Sequence, residues 1–392
     1  MTNELLINKV SSEYPEPPSG KNGWPWNVEK PVEDYKDIKH LPKISIITPS
    51  FNQGKYLEET IRSVLLQNYP NLEYIVIDGG STDNSVEIIK KYDKWIKYWI
   101  SEKDEGQSEA INKGLKECTG EIFNWLNSDD YYDKDCFKKI AENYDPSETD
   151  IIAGDYRFFY EGEERYKTVK LKLRETLEET IALVHVNQPS TFIKLEKVTE
   201  FGGLNNALHF IMDQEVWIKY LFTYGQSRIK ILNEELAYFR FHSDSKTSNN
   251  DFLDEHINIY YSIALKNGMA KQAEALKKIY GFNVENNYLF NFNFDHKKEY
   301  NDLAKKAINN LFFAEARKAY TSGDKELLKE GRLGFSGEIE PKSQAKSSKD
   351  EKQPKSNYSG IRTIDGTPYW FKNGIQMRAL TEDEKGKYGG NK

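Results

Sequence analysis

The chain has 392 residues, room for one large or two ordinary domains, with 38% apolar and 30% charged residues. A net charge of −7 argues against nucleic-acid binding through bulk positive charge, and two cysteines, Cys118 and Cys136, leave no basis for a disulfide scaffold or a cysteine-based zinc site. No stretch reaches the roughly 20 apolar residues of a membrane span, and the N-terminus lacks the basic start and apolar run of a signal peptide, so the expectation is a soluble, cytoplasmic protein.

Residues 1–42 are polar and proline-rich ("PEPPSGKNGWPWNVEKP"), an extended arm whose Trp24 and Trp26 place it against a surface. From Lys43 the pattern alternates. "ISIITPS" (44–50) is a β-branched strand followed by the turn "FNQG" and an amphipathic helix, "KYLEETIRSVLLQ". "LEYIVID" (72–78) is a second strand, ending in "GGSTDNS" and the helical "VEIIKKYDKW". "IKYWIS" (96–101), the helix "SEAINKGLKEC" (108–118) and the strand "EIFNWLN" (121–127) follow. Strand–helix alternation at this spacing predicts a mainly parallel α/β sheet with helices on its faces, whose ligands bind beyond the carboxyl ends of the strands. Ser50, Asp78, Ser101 and Asp129 all fall there.

After residue 150 the reading is mixed: a strand at "DIIAGDYRFFY", a hairpin partner at "RYKTVK", a helix over 174–184, a strand over 188–194, a helix beginning near Asp213 and a last strand at "ELAYFRFHSDSKT". Residues 43–250 then form the main domain and 251–335 a helical extension, with a helical hairpin over 301–331. The remainder, 336–392, opens with the composition of a disordered linker and has no legible function. There is no G-x-G-x-x-G, no G-x-x-x-x-G-K-[ST] and no H-E-x-x-H, which disfavours a Rossmann dehydrogenase, a P-loop enzyme and a zincin.

"FNWLNSDDYYDKD" (123–135) carries a buried-type strand straight into two adjacent carboxylates, which repel one another unless a cation lies between. On an extended chain Asp129 and Asp130 point to opposite faces, so one can meet Mg2+ or Mn2+ while the other bonds elsewhere, with substrate phosphates completing the shell. An ordinary Asx turn is the competing explanation. Asp78, at the end of an apolar strand before two glycines, can accept the N–H of a pyrimidine ring. "TPSFNQG" adds the hydroxyls of Thr48 and Ser50 and the Phe51 ring, a base-and-ribose pocket.

These motifs, "ISIITPSFNQGKYLEETIRSVLLQNYPNLEYIVIDGGSTDNSVEII" and "DEGQSEAINKGLKECTGEIFNWLNSDD", resemble the inverting family 2 nucleotide-sugar glycosyltransferases of GT-A fold over about residues 43–245. The resemblance implies a donor site drawn from Thr48, Pro49, Ser50, Asn52, Asp78, Asp104, Gln107, Asn112, Asn127 and Asp129, with Asp130 on the metal and diphosphate. Asn127 departs from the pattern, since that place is often Asp; it keeps hydrogen bonding and drops a charge. Asp213, in the first turn of a helix and ahead of a tryptophan, matches the family's base, with Glu215 the less favoured alternate and helix capping the structural explanation. His242 matches a histidine that reaches the metal or diphosphate, and Gln188 a position near the acceptor cleft.

The activity so implied is transfer of a sugar, from a UDP-sugar first of all, to an acceptor hydroxyl with inversion and with Mn2+ or Mg2+. The acceptor would be a glycan or a lipid-linked glycan, in surface polysaccharide synthesis, with peripheral membrane contact. Two rivals stay open: a catalytically degenerate scaffold that binds nucleotide or glycan, and a metal-dependent phosphoryl-transfer enzyme.

Overall fold

A computed structural model describes residues 14–163, 165–243, 245–246, 252–280 and 298–322, together with three strands, β10 (Gly360–Ile364), β11 (Thr367–Lys372) and β12 (Ile375–Ala379). Its contacts divide the chain into two compact units: Met1–Phe241 with Asp251–Gly334, and His242–Asn250 with Phe335–Lys392.

The first unit is built on a mixed sheet. Four parallel strands come first: β1 (Ile44–Ser50), β2 (Leu72–Asp78), β3 (Tyr98–Ser101) and β4 (Ile122–Trp125), in the order β3-β2-β1-β4. The sheet continues through β8 (Thr191–Lys194), β6 (Ile151–Tyr160), β9 (Ile229–Phe241) and β5 (Tyr131–Tyr132), with β7 (Tyr166–Val169) hairpinned on β6. β8 runs antiparallel to both β4 and β6. Each central strand is buried on both faces, which is why "ISIITPS" and "EYIVID" read as continuous apolar runs.

Alternation along those strands feeds two cores. Ile44, Ile46, Tyr74 and Val76 face α1 (Gly54–Leu65), α2 (Ser85–Lys91) and α4 (Cys136–Asn143). Ile47, Ile75 and Ile77 join the core shared by α3 (Gln107–Leu115), α7 (Met212–Tyr224), α8 (Phe252–Lys266), α9 (Ala270–Tyr280) and α10 (Lys298–Ser322). Two short helices, α5 (Leu177–Ala182) and α6 (Leu195–Glu200), complete this layer. The helices after residue 251 are therefore part of the main core. α10 inserts Ala304, Ala307, Ile308, Leu311 and Phe312, a helical stripe, into it.

Of the hairpin expected over 301–331, the first arm is a single helix running to Ser322, with nothing between Asn301 and Ser322 to break it and the first glycine at Gly323. Residues beyond 322 in that expectation, and the linker expected from Pro341, lie outside the described residues. Within 336–392 the described part is the antiparallel sheet β10-β11-β12 of the second unit.

Residues 14–42 form neither strand nor α-helix and lie along α1. The Tyr14 hydroxyl bonds the Leu65 carbonyl (3.0 Å), and the Tyr35 hydroxyl bonds that of Gln67 (2.7 Å). The buried Arg62 donates through Nε to the Trp26 carbonyl (2.9 Å) and through Nη1 to that of Pro15 (2.8 Å). Trp24 donates its indole N–H to the carbonyl of Tyr132 (2.8 Å), two residues beyond the acidic pair.

Candidate active site

In-register pairing places Ser50 beside Asp78 and Asp78 beside Ser101, a row of polar side chains at the carboxyl edge of three parallel strands. Asp78 is fully buried and organises the loop that follows it. Its Oδ2 accepts from the N–H groups of Gly80 (3.1 Å) and Ser81 (2.9 Å) and from the Ser101 hydroxyl (2.6 Å), while Oδ1 accepts from the Ser81 hydroxyl (2.5 Å). A carboxylate offers about four lone-pair positions, so these bonds leave Asp78 one lone pair, on Oδ1, for a further donor. A Cβ at Gly79 would come 2.8 Å from the Asp104 carboxylate, so that side chain would have to shift to admit one.

Two loops form the rim. The N–H of Asn52 donates to Ser81 Oγ (2.7 Å), and Asn52 Oδ1 accepts from the N–H of Thr82 (2.8 Å). Asn52 pays for this with a left-handed φ of 52°. Phe51, beside it, is 60% exposed, an aromatic face at the strand ends. Thr48 and Pro49 are buried beneath the rim, and the Thr48 hydroxyl pairs with Tyr74 (3.0 Å) in the core. The Ser50 hydroxyl is buried without a hydrogen-bond partner among the described residues.

The acidic pair sits in a turn, not on extended chain as expected. The N–H of Asp130 closes back on the Asn127 carbonyl (3.1 Å), which removes the alternation argument. Asp130 is buried and Asp129 half-buried. The turn is clamped from both sides. The Thr60 hydroxyl lies 2.9 Å from the Ser128 carbonyl and 2.7 Å from that of Asp130. Opposite, the N–H of Arg240 donates to Asp130 Oδ1 (2.9 Å), and its Nε donates to the Asp129 carbonyl (2.9 Å). The same guanidinium pairs with Glu59 (2.6 Å) and lies 4.9, 5.7 and 4.9 Å from the ring centres of Tyr56, Tyr131 and Phe159. Arg240 was not foreseen; its one signal was a lone cation in the aromatic strand "YFRF".

α3 joins this turn to the second half of the site. Gln107 Nε2 donates to Asn127 Oδ1 (2.6 Å), and Asn127 Nδ2 reaches toward Asp130 Oδ2 at 3.5 Å. One residue on, the Ser108 hydroxyl bonds the Leu208 carbonyl (2.7 Å). Asn112, expected on the donor, is spent on the same loop: it donates to the Leu204 carbonyl (2.8 Å) and accepts from the Leu204 N–H (2.8 Å). Asp104 accepts from the N–H of Gly106 (3.0 Å), and burial raises its pKa above the usual carboxylate value.

The loop held by α3 leads into α7, whose second residue is Asp213. Asp213 is half-buried, and burial, with Glu255 adding a like charge, raises its pKa to about 6. That is a proton affinity suited to a base working near neutrality. Burial first, and then the charges of Asp130 and Asp213, raise the pKa of Tyr156 on β6. Glu215 is excluded from such work: fully buried, it accepts from Asn205 (3.1 Å) and pairs with Lys219 (3.2 Å). Gln188 donates to the Trp125 carbonyl (2.6 Å) and props the end of β4. His242 is buried, its N–H donating to Ser245 Oγ (3.0 Å), and it belongs to the second unit.

Whether a divalent cation fits rests on Asp130. Its pKa is raised by burial first and by Asp129 second, the state of a carboxylate short of positive charge. The Arg240 guanidinium is directed to a carbonyl and to Glu59 rather than to the Asp130 carboxylate. Hard oxygen ligands of this kind suit Mg2+ or Mn2+. Among the described residues no three His, Cys, Asp or Glu side chains gather into a metal cluster, so an ion held by Asp130 needs oxygens from its substrate.

A mixed, mainly parallel sheet flanked by helices, with an acidic turn past its strand ends, is the GT-A arrangement of nucleotide-sugar transferases. The chain belongs to glycosyl transferase family 2, whose model matches residues 45–204. An uncharacterized glycosyltransferase of Rickettsia felis is 29% identical over 245 residues, 60% of this chain and 39% of its own length. One from Rickettsia typhi is 30% identical over 227 residues, 55% of this chain and 68% of that protein. The chain thus spans well under half of the first relative. Among solved structures, S. aureus TarS 1–349 in complex with UDP-GlcNAc aligns with a TM-score of 0.50 at 18% identity, over 86% of this chain and 99% of that one, a likeness of fold. Among the described residues no helix is long and apolar enough to cross a membrane.

Proposed function

We infer that this protein transfers a hexosyl group from a nucleoside diphosphate sugar to the hydroxyl of a glycan or lipid-linked glycan, inverting the anomeric centre. The observation that carries the reading is the joining of the acidic turn to α3, through Gln107 and Asn127, beside the polar row at the strand ends. The base and ribose lie over that row, against the Phe51 ring, with the Ser50 hydroxyl given a partner and Asp78 holding the loop's shape. The diphosphate extends toward Asp129 and Asp130. The match to the family over residues 45–204 supports this direction.

Asp213 takes the proton of the acceptor hydroxyl as its oxygen attacks the anomeric carbon. The new carbon–oxygen bond forms as the bond to the diphosphate breaks, and the electron pair leaves with the nucleoside diphosphate. Attack from the face opposite the leaving group inverts the centre. A Mn2+ or Mg2+ ion, held by Asp130 and the diphosphate, would offset charge on the leaving group. What this chain itself does is hold the turn rigid, keep the Asp213 proton affinity near neutral, and order the rim.

Thermal shift with UDP, GDP, CMP and ADP, each with Mn2+ and again with chelator, tests the donor assignment. A ligand at 100 times its Kd stabilises the folded state by about 2.7 kcal/mol. UDP with Mn2+ is expected to raise the melting temperature, and chelator to remove most of the gain. UDP-GlcNAc, the ligand of the TarS complex, is the first donor to assay. Absence of a shift with every nucleotide would overturn the reading in favour of a scaffold.

A further inference from the structure

Asp213 is gripped by a helix that the family match does not reach. α8 begins at Phe252, beyond the matched residues 45–204, and its Glu255 is buried. The Glu255 carboxylate accepts three consecutive backbone N–H groups of the loop before α7: His209 (2.7 Å to Oε1), Phe210 (2.9 Å to Oε2) and Ile211 (3.2 Å to Oε2). The next residue, His256, has its Nδ1 2.8 Å from Gln214 Oε1. Adjacent side chains of α8 thus hold the chain on both sides of Asp213, at 209–211 and at 214.

This arrangement does more than close a helix end. The three N–H groups precede α7, and a carboxylate taking them from outside fixes where the helix starts. The start of α7 sets where its second residue points. A buried acid also carries a cost that burying a leucine would not, yet one stands here against the backbone of residues 209–211. The same carboxylate adds a negative charge facing Asp213, alongside the burial that holds its proton.

The geometry points to Glu255 and His256 as positioning residues for the base: through them the C-terminal helices complete the acceptor half of the site. This rests on the reading of Asp213 as the base. Neither residue need touch substrate; each acts by fixing the backbone that carries Asp213.

The test uses the full chain and UDP-GlcNAc, or whichever UDP-sugar first shows turnover, measured as UDP release. Glu255→Gln keeps one acceptor oxygen for the loop, and His256→Ala removes the bond to Gln214 together with the ring contact on Tyr260, so the pair guards against a variant that fails to fold. The expected result is a KM-against-kcat split: kcat falls at least tenfold in Glu255→Gln and about threefold in His256→Ala, while donor KM and the UDP-induced thermal shift stay within twofold of the parent. Unchanged kcat in both variants would overturn the inference, as would a loss of UDP binding equal to the loss of kcat. Asp213→Asn separates the two levels. Retained turnover in that variant sinks the base assignment itself, whereas lost turnover there with full turnover in Glu255→Gln sinks only the positioning role.

Discussion

On the donor side, Asp78 draws every bond to its carboxylate from Gly80, Ser81 and Ser101, at most 23 residues away. On the base side, the loop and helix around Asp213 are tied by Glu255 and His256, 42 to 46 residues further on. The strand-end row around Asp78 is ordered within its own short strand–loop segments, so its motif is compact. The second half is assembled by side chains arriving from elsewhere. The family model matches residues 45–204, and the candidate base, at 213, lies beyond it.

The largest expected effect lies on the base side. Asp213→Asn should lower turnover by about 10²- to 10⁴-fold, the usual worth of a positioned base, with nucleotide binding nearly intact by thermal shift. The pH profile sharpens the assignment. Asp213 is ionised only above its raised pKa of about 6, so turnover should fall about tenfold per pH unit below that value. The stability sign is opposite. A carboxyl whose folded pKa is raised contributes stability that is full below its unfolded pKa, near 3.8, and is lost as pH rises through about 6. The ionised group then costs up to about 3 kcal/mol at neutral pH, and Asp213→Asn should melt higher than the parent at pH 7.5. A variant both inactive and less stable there would point to a structural aspartate.

How much of this was legible follows the same division. The parallel strands, the strand-end row and the acidic pair could be read because apolar runs ending in Ser50, Asp78 and Asn127 report local structure directly. What each side chain does there was less legible. Thr48 lies on a core face of β1, where its hydroxyl meets Tyr74, and Asn112 faces the 204–206 loop; no pattern within their own motifs states either partner. Arg240 and Glu255 escaped altogether, since a single charged residue in an aromatic strand or at a helix start has meaning only once its partners, over 100 and over 40 positions away, are placed.

Arg240 tests whether long-range assembly also governs the acidic turn. Arg240→Lys keeps the charge but loses the planar fork that binds the Asp129 carbonyl and Glu59 together. The affinity for UDP in the presence of Mn2+, measured by calorimetry, should fall about 10- to 100-fold, on the scale of losing a residue that orients a metal ligand. The N–H that holds Asp130 belongs to the backbone and survives the change. An affinity within twofold of the parent would mean that Thr60 and that N–H suffice to hold the turn.

Ser50 gives the smallest effect and the most informative sign. Its hydroxyl is buried at the strand end without a partner among the described residues, so Ser50→Ala removes an unsatisfied group while leaving the packing of β1 intact. The nucleotide-free protein should gain up to about 1 kcal/mol of stability. If a ribose or base supplies the missing partner, the same substitution weakens UDP binding by about three- to tenfold, the loss of one hydrogen bond. Stability and affinity then move in opposite directions from one oxygen atom. A gain in stability with UDP affinity unchanged would place the nucleotide elsewhere along the row, closer to Ser101 and Asp104, and would make Ser50 a passive member of the strand.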